Sequence, residues 1–148
     1  HSLLALLKEL GMEVKGAAIF HHDPHYDNNE PESDVLAQVV NTYGDIHNFN
    51  VCNRQAYELF NILHRLQPDL LIARHGGITV WGAKLGIPTL LIGDEQLGFG
   101  YQGILNYAER IVETLDNKEF VANLAQHSAI PYTQWWLEQD PFYFRGGN

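Results

Sequence analysis

The stretch Pro68–Gly103, PDLLIARHGGITVWGAKLGIPTLLIGDEQLGFGYQG, decides the fold. An apolar run, Leu70 to Ala73, leads into a glycine-bearing turn at His75-Gly76-Gly77 and an amphipathic segment that stops at Gly86. Pro88 opens a second apolar run, Thr89 to Ile92, and a polar, acidic, glycine-rich loop runs from Gly93 to Gly103. The order is strand, turn, helix, strand, loop. In a parallel α/β sheet both loops leave the carboxyl ends of adjacent strands, where such folds hold ligands.

Working outward, the same alternation continues. Leu3, Leu4, Leu7 and Leu10 form a helical stripe, and Gly11 supplies a left-handed stop. Met12 to Phe20 reads as a strand, followed by a polar loop over residues 21–34. Ser33 or Asp34 caps a short helix carrying Val35, Leu36, Val39 and Val40, and Ile46 to Val51 reads as the next strand. Asn53 caps a helix with Ala56, Leu59, Phe60, Leu63 and Leu66 on one side. Beyond the central stretch, Ile104, Leu105, Ala108, Ile111, Val112 and Leu115 mark a helix. Asn117 caps a shorter one with Phe120, Val121, Leu124 and Ala125. The expected fold is α/β: a Rossmann-like three-layer sandwich with a parallel sheet, over residues 1–130. Parallel α/β units normally begin on a strand, so a start on a helix reads as a fragment lacking its first strand. Residues 131–148 hold Trp135, Trp136, Phe142, Tyr143 and Phe144, too much apolar area to leave in water. That tail is expected to dock on the domain or on a partner.

A chain of 148 residues is long enough to bury a real core, and 45% hydrophobic with 18% charged residues is a globular composition. A net charge of −9 argues against nucleic acid or an anionic membrane as partner. No apolar run reaches the length of a membrane span. Cys52 is the only cysteine, which excludes an internal disulfide and points to the cytoplasm. It cannot hold an iron–sulfur cluster alone, so no cofactor is expected on these residues by themselves.

Three polar groups are expected at the strands' carboxyl ends. His21-His22-Asp23-Pro24-His25-Tyr26-Asp27 has the imidazole and carboxylate density of a metal site, or is a solvated loop. Arg74-His75-Gly76-Gly77 offers bare N–H groups at a helix start, suited to an anion, or is simply a tight turn. It lacks the spacing of a dinucleotide fingerprint and the Gly-Lys-Ser/Thr of a phosphate loop, which weakens a stand-alone nucleotide-binding module. Gly93-Asp94-Glu95-Gln96 carries adjacent carboxylates for acid–base work or cation binding, or for solvent.

The pattern Glu9-Leu10-Gly11-Met12-Glu13-Val14, Phe20-x-His22-Asp23-x-x-Tyr26-Asp27, Gln67-Pro68-Asp69-Leu70, Leu85-Gly86-Ile87-Pro88 and Gly100-Tyr101-Gln102-Gly103 resembles the C-terminal domain of nitrogenase component 1. The resemblance covers most of residues 2–115 and includes molybdenum–iron protein α chains, related cluster-assembly scaffolds and nitrogenase-like proteins. It implies a cytoplasmic oxidoreductase of the nitrogen-fixation type, with three Rossmann-like domains per subunit and an iron–sulfur-type metallocluster in the full assembly. It further implies a homologous β-type subunit and an ATP-dependent iron protein as electron donor. On that basis His22, Asp23, His75, Gly76, Gly77, Gly93, Asp94, Glu95 and Gln96 are the expected cavity-lining residues. In the family's α chain a histidine shortly after the Gly-Ile-Pro element ligates the cofactor. Here that position is Gly93, and no histidine occurs from Pro88 to Gly103. The resemblance therefore points to a nitrogenase-like reductase, or to a scaffold handling a different cluster or a tetrapyrrole-like substrate, and away from a dinitrogen-reducing α subunit.

Overall fold

A computed structural model of the chain describes residues 3–19, 41–42, 49–51, 55–93 and 100–141. It is α/β, with parallel strand pairs and helices between the strands, as the alternation in sequence predicts. Two compact units, His1–Leu59 and Phe60–Asn148, divide the chain.

In the first unit, α1 (Leu3–Glu9) ends where the sequence says it should. Gly11 sits at φ 72°, Met12 N donates to Leu7 O at 2.9 Å, and Gly11 N donates to Lys8 O at 3.0 Å. This is a Schellman closure, in which a left-handed residue lets two backbone donors satisfy the last carbonyls of the helix. β1 (Ala17–Ile19) pairs in parallel with β2 (Phe49–Val51), in the register Ala17↔Phe49, Ala18↔Asn50 and Ile19↔Val51. The expected strand from Met12 is thus shorter at its start. Glu13 and Lys15 form an exposed ion pair at 2.8 Å before the pairing begins. The expected helix over Val35–Val40, the Asn53 cap and residues 46–48 of the second strand lie outside the described residues.

The unit boundary falls within α2 (Gln55–Leu66). Beyond it, β3 (Leu71–Ala73), α3 (Gly76–Lys84) and β4 (Thr89–Leu91) form the strand–helix–strand unit read from Pro68–Gly103. The strands are parallel, with Leu71↔Thr89, Ile72↔Leu90 and Ala73↔Leu91 in register. Leu71 N donates to Pro88 O at 2.9 Å and Ile92 N to Ala73 O at 2.8 Å, which extends the pairing at both ends. α3 closes by the same device as α1. Gly86 takes φ 74°, Ile87 N donates to Gly82 O at 2.9 Å and Gly86 N to Ala83 O at 3.2 Å, and Pro88 then leaves toward β4.

Three further helices follow among the described residues of this unit: α4 (Gly100–Asp116), α5 (Lys118–Gln126) and α6 (Gln134–Glu138). α4 packs on β4, and α5 packs on α3. The unit's core gathers Phe60, Leu63, Ile87, Leu90, Ile92 and Ile111, all buried.

Two sequence expectations are corrected here. Gly100–Gly103 is the first turn of α4, and the helix buries Gly103, Tyr107 and Ile111, whereas Leu105 and Val112 stand exposed. An apolar stripe read from periodicity fixes that a face exists, but the packed face depends on the neighbours. Asn117 occupies the N-cap position of α5 but does not cap it. Its side chain instead donates back to Glu113 O at 2.8 Å, closing the end of α4. Phe120 and Leu124 are exposed on α5.

Residues 131–141 pack within their own unit. Tyr132 lies against Phe60 (ring centroids 5.3 Å) and Trp81 (6.5 Å), and Phe60 meets Trp81 edge-on at 5.7 Å. Leu137 is buried. A polar clasp on α2 holds α6: the amide of Asn61, fully buried, donates to the carbonyls of Trp136, Leu137 and Gln139 at 3.2, 3.3 and 3.0 Å. Arg65 Nε donates to Asn61 Oδ1 at 2.7 Å, and its guanidinium also reaches the carbonyls of Glu138 and Gln139. Four-residue spacing puts both side chains on one face of α2, so the buried amide is oriented by a cation that itself satisfies the helix end. Phe142, Tyr143 and Phe144 lie outside the described residues.

Candidate functional site at a sheet edge

Parallel strands in register leave their following residues on the same edge of the sheet. Because Ala73 pairs with Leu91, the segments Arg74–Gly77 and Ile92–Gly93 both depart from the carboxyl edge of the β3–β4 pair. The bond from Ile92 N to Ala73 O ties the two departures together. Of the sequence-predicted site residues, His75, Gly76, Gly77 and Gly93 therefore share one edge. His22, Asp23, Asp94, Glu95 and Gln96 lie outside the described residues.

His75 stands at the N-cap position of α3 in extended conformation (φ −120°, ψ 125°), and its side chain makes no capping bond. Its carbonyl accepts from Ile78 N at 3.0 Å. Thr79 Oγ1 donates to Gly76 O at 2.7 Å, bracing the first turn. Residues 74–77 are all exposed.

The two glycines are not required by this turn. The described glycines with positive φ are Gly11, Gly86 and Gly100, so neither Gly76 nor Gly77 uses the left-handed region. A Cβ at Gly76 would meet nothing within 4 Å, and at Gly77 it would meet only the His75 ring at 3.5 Å. Glycine here therefore leaves the first turn of a nine-residue helix uncovered, with its early N–H groups lacking helical partners. That surface, beside a histidine, suits a polar or anionic group.

Gly82 is the opposite case. A Cβ there would lie 2.0 Å from Thr89 Oγ1 and 3.1 Å from the carbonyl of Ile87, so its lack of a side chain lets α3 lie close against the start of β4. The sequence reading passed over it, together with Asn61, Arg65 and Tyr107. A buried asparagine four residues before an arginine, amid Phe60, Ile62 and Leu63, was the available signal for the clasp.

Burial pushes the Tyr107 phenol up from 10.0 to about 12, and among the described residues its hydroxyl finds no hydrogen-bond partner. Among the described residues no three His, Cys, Asp or Glu side chains come together as a metal site. None of the described helices is long and apolar enough to cross a membrane.

Comparison with curated proteins and with solved structures gives no match. A family model for nitrogenase component 1 type oxidoreductases matches residues 1–116 of the 148. That is well over half of the chain, and the chain belongs to the nitrogenase component 1 type oxidoreductase family.

Proposed function

We propose that this chain is part of a nitrogenase-like oxidoreductase subunit, forming one wall of its metallocluster or substrate cavity and inactive alone. The observation that carries this reading is the family match over residues 1–116. The shared edge of His75–Gly77 and Gly93 supports it, because ligands in open α/β sheets sit beyond the carboxyl ends of the strands. In this reading His75 and the bare turn at Gly76-Gly77 present donors to a polar or anionic part of the cavity's contents. His22, Asp23, Gly93, Asp94, Glu95 and Gln96 complete the wall. Residues 1–130 form a C-terminal domain, and residues 131–148 dock on it or on a partner. The remaining partners are the other domains of the subunit, a homologous β-type subunit and an ATP-dependent iron protein, all of them cytoplasmic.

A second reading, a scaffold that assembles a cluster and hands it on, is favoured by one observation. Gly93 stands where the family's α chain has a histidine ligand, and a scaffold has to release its cluster.

Anaerobic reconstitution with ferrous iron and sulfide tests the proposal, applied in parallel to the 148-residue chain and to the full subunit. The expected result is visible charge-transfer absorbance from the full subunit alone. Stoichiometric cluster absorbance from the 148-residue chain would overturn the wall assignment. Substrate turnover by the loaded subunit with iron protein and ATP identifies the reductase. Cluster transfer to an apo-acceptor without turnover identifies the scaffold.

A further inference from the structure

α4 is apolar on two sides. Gly103, Tyr107 and Ile111 are buried. Roughly a third of a turn away lies a second stripe, Tyr101, Leu105, Ala108, Val112 and Leu115. Tyr101 is 89% exposed, Leu105 56% and Val112 57%, with Ala108 and Leu115 half-buried. The steps along it are 4, 3, 4 and 3 residues. A repeat averaging 3.5 residues is the seam of a helix that pairs with another helix, knobs into holes. Its length, four turns, is enough for a real seam.

The flanks of this seam are unlike. One flank carries Gln102, Glu109 and Asp116, all exposed, and the other carries Ile104 and Ile111. Residues at these positions choose the partner of a paired helix. Antiparallel pairing of two copies would set Glu109 and Asp116 against their own counterparts. Parallel pairing would set Glu109 against Ile104, while Ile111 is already buried in the chain's own core. A second copy is therefore disfavoured by the local charge, and the net charge of −9 adds to the repulsion.

We infer that the exposed seam of α4 docks an amphipathic helix whose own apolar repeat of 3.5 residues is flanked by lysine or arginine. Those basic residues pair with Glu109 and Asp116, while the apolar repeat covers Tyr101, Leu105 and Val112. This inference is independent of the reading of the sheet edge.

Two synthetic helical peptides test it. They share one leucine/alanine seam and differ only in flanks, lysine in one and glutamate in the other. Each is titrated into the 148-residue chain at low salt and followed by fluorescence anisotropy. The lysine-flanked peptide is expected to bind about tenfold tighter. Leu105→Glu, a change at an exposed position, is expected to abolish binding while leaving the circular-dichroism melt unchanged. The double variant E109K with D116K is expected to invert the preference, an outcome that misfolding cannot produce. Equal affinity for both peptides, binding of neither, or no inversion would overturn the inference. So would sedimentation showing a dimer of this chain that Leu105→Glu converts to monomer, because the occupant would then be a second copy.

Discussion

Tyr107 shows how a single buried polar atom sets a measurable property. Its ring belongs to the buried face of α4, but its hydroxyl is enclosed without a hydrogen-bond partner among the described residues. A buried, unsatisfied hydroxyl costs about 1–3 kcal/mol relative to solvent. The same burial raises the phenol from 10.0 to about 12. Below pH 10 folded and unfolded chains are both neutral at this group, and stability does not depend on its titration. Between pH 10 and about 12 the unfolded state releases its proton first, so stability falls as pH rises, by roughly 3 kcal/mol in all. Tyr107→Phe removes the orphaned atom and keeps the ring. It is expected to stabilise the chain by about 1 kcal/mol near neutral pH and to flatten the alkaline arm. Urea titrations of both proteins at neutral and alkaline pH give the comparison, with the other tyrosines common to each. Loss of stability in the variant at neutral pH would mean that the hydroxyl is satisfied after all.

At the scale of elements, the contact of α3 with β4 turns on Gly82. Alanine is the better helix former by about 1 kcal/mol, so on propensity alone Gly82→Ala should stabilise α3. The geometry says otherwise. The added Cβ would lie 2.0 Å from Thr89 Oγ1, a hydroxyl that donates to Ile87 O at 3.1 Å, and 3.1 Å from that backbone carbonyl. Overpacking of this kind costs about 1–3 kcal/mol, so Gly82→Ala is expected to lower the urea midpoint, and adding Thr89→Ala should recover part of the loss. A raised midpoint in Gly82→Ala would show that α3 slides away from the sheet at little cost. The same scale shows what a sequence discloses. The stops at Gly11 and Gly86 were legible because a helix end is decided by a few local residues and one left-handed glycine. The edge shared by His75–Gly77 and Gly93 was legible because parallel pairing is nearly forced by the strand–helix–strand order. The buried face of α4 was not, since two apolar stripes on one helix compete and only the surrounding elements choose between them. Nor was α6, a five-residue helix held by backbone carbonyls that Asn61 and Arg65 bind without regard to side chains.

For the molecule as a whole, the family match and the physical unit end at different places. The match stops at residue 116, but the second compact unit continues through α5 and α6. The later residues pack against the earlier ones at several points. Gly86 faces Ala122 and Ala125 of α5, with a hypothetical Cβ 3.5 and 3.4 Å from them, so the turn after α3 lies flush on that helix. Lys118 pairs with Asp69 at 2.6 Å, and Lys84 donates to the carbonyl of Ala129 at 2.7 Å. Tyr132 covers Phe60 and Trp81, and Asn61 spends its amide on α6. The surface ion pair is worth little, at most about 1 kcal/mol. The aromatic cover and the clasp matter far more, because removing them exposes two large rings and takes three carbonyl acceptors from a buried amide. Together they amount to several kcal/mol, about the whole stability margin of a small domain. A chain ending at Asp116, the limit of the family match, is therefore expected to lose cooperative thermal unfolding and to bind a hydrophobic dye. A chain ending at Pro141 should melt cooperatively. Calorimetry on the two truncations decides the matter: a sharp transition in the shorter one, within a few degrees of the longer, would show that residues 117–141 are an appendage and that the fold closes where the family does.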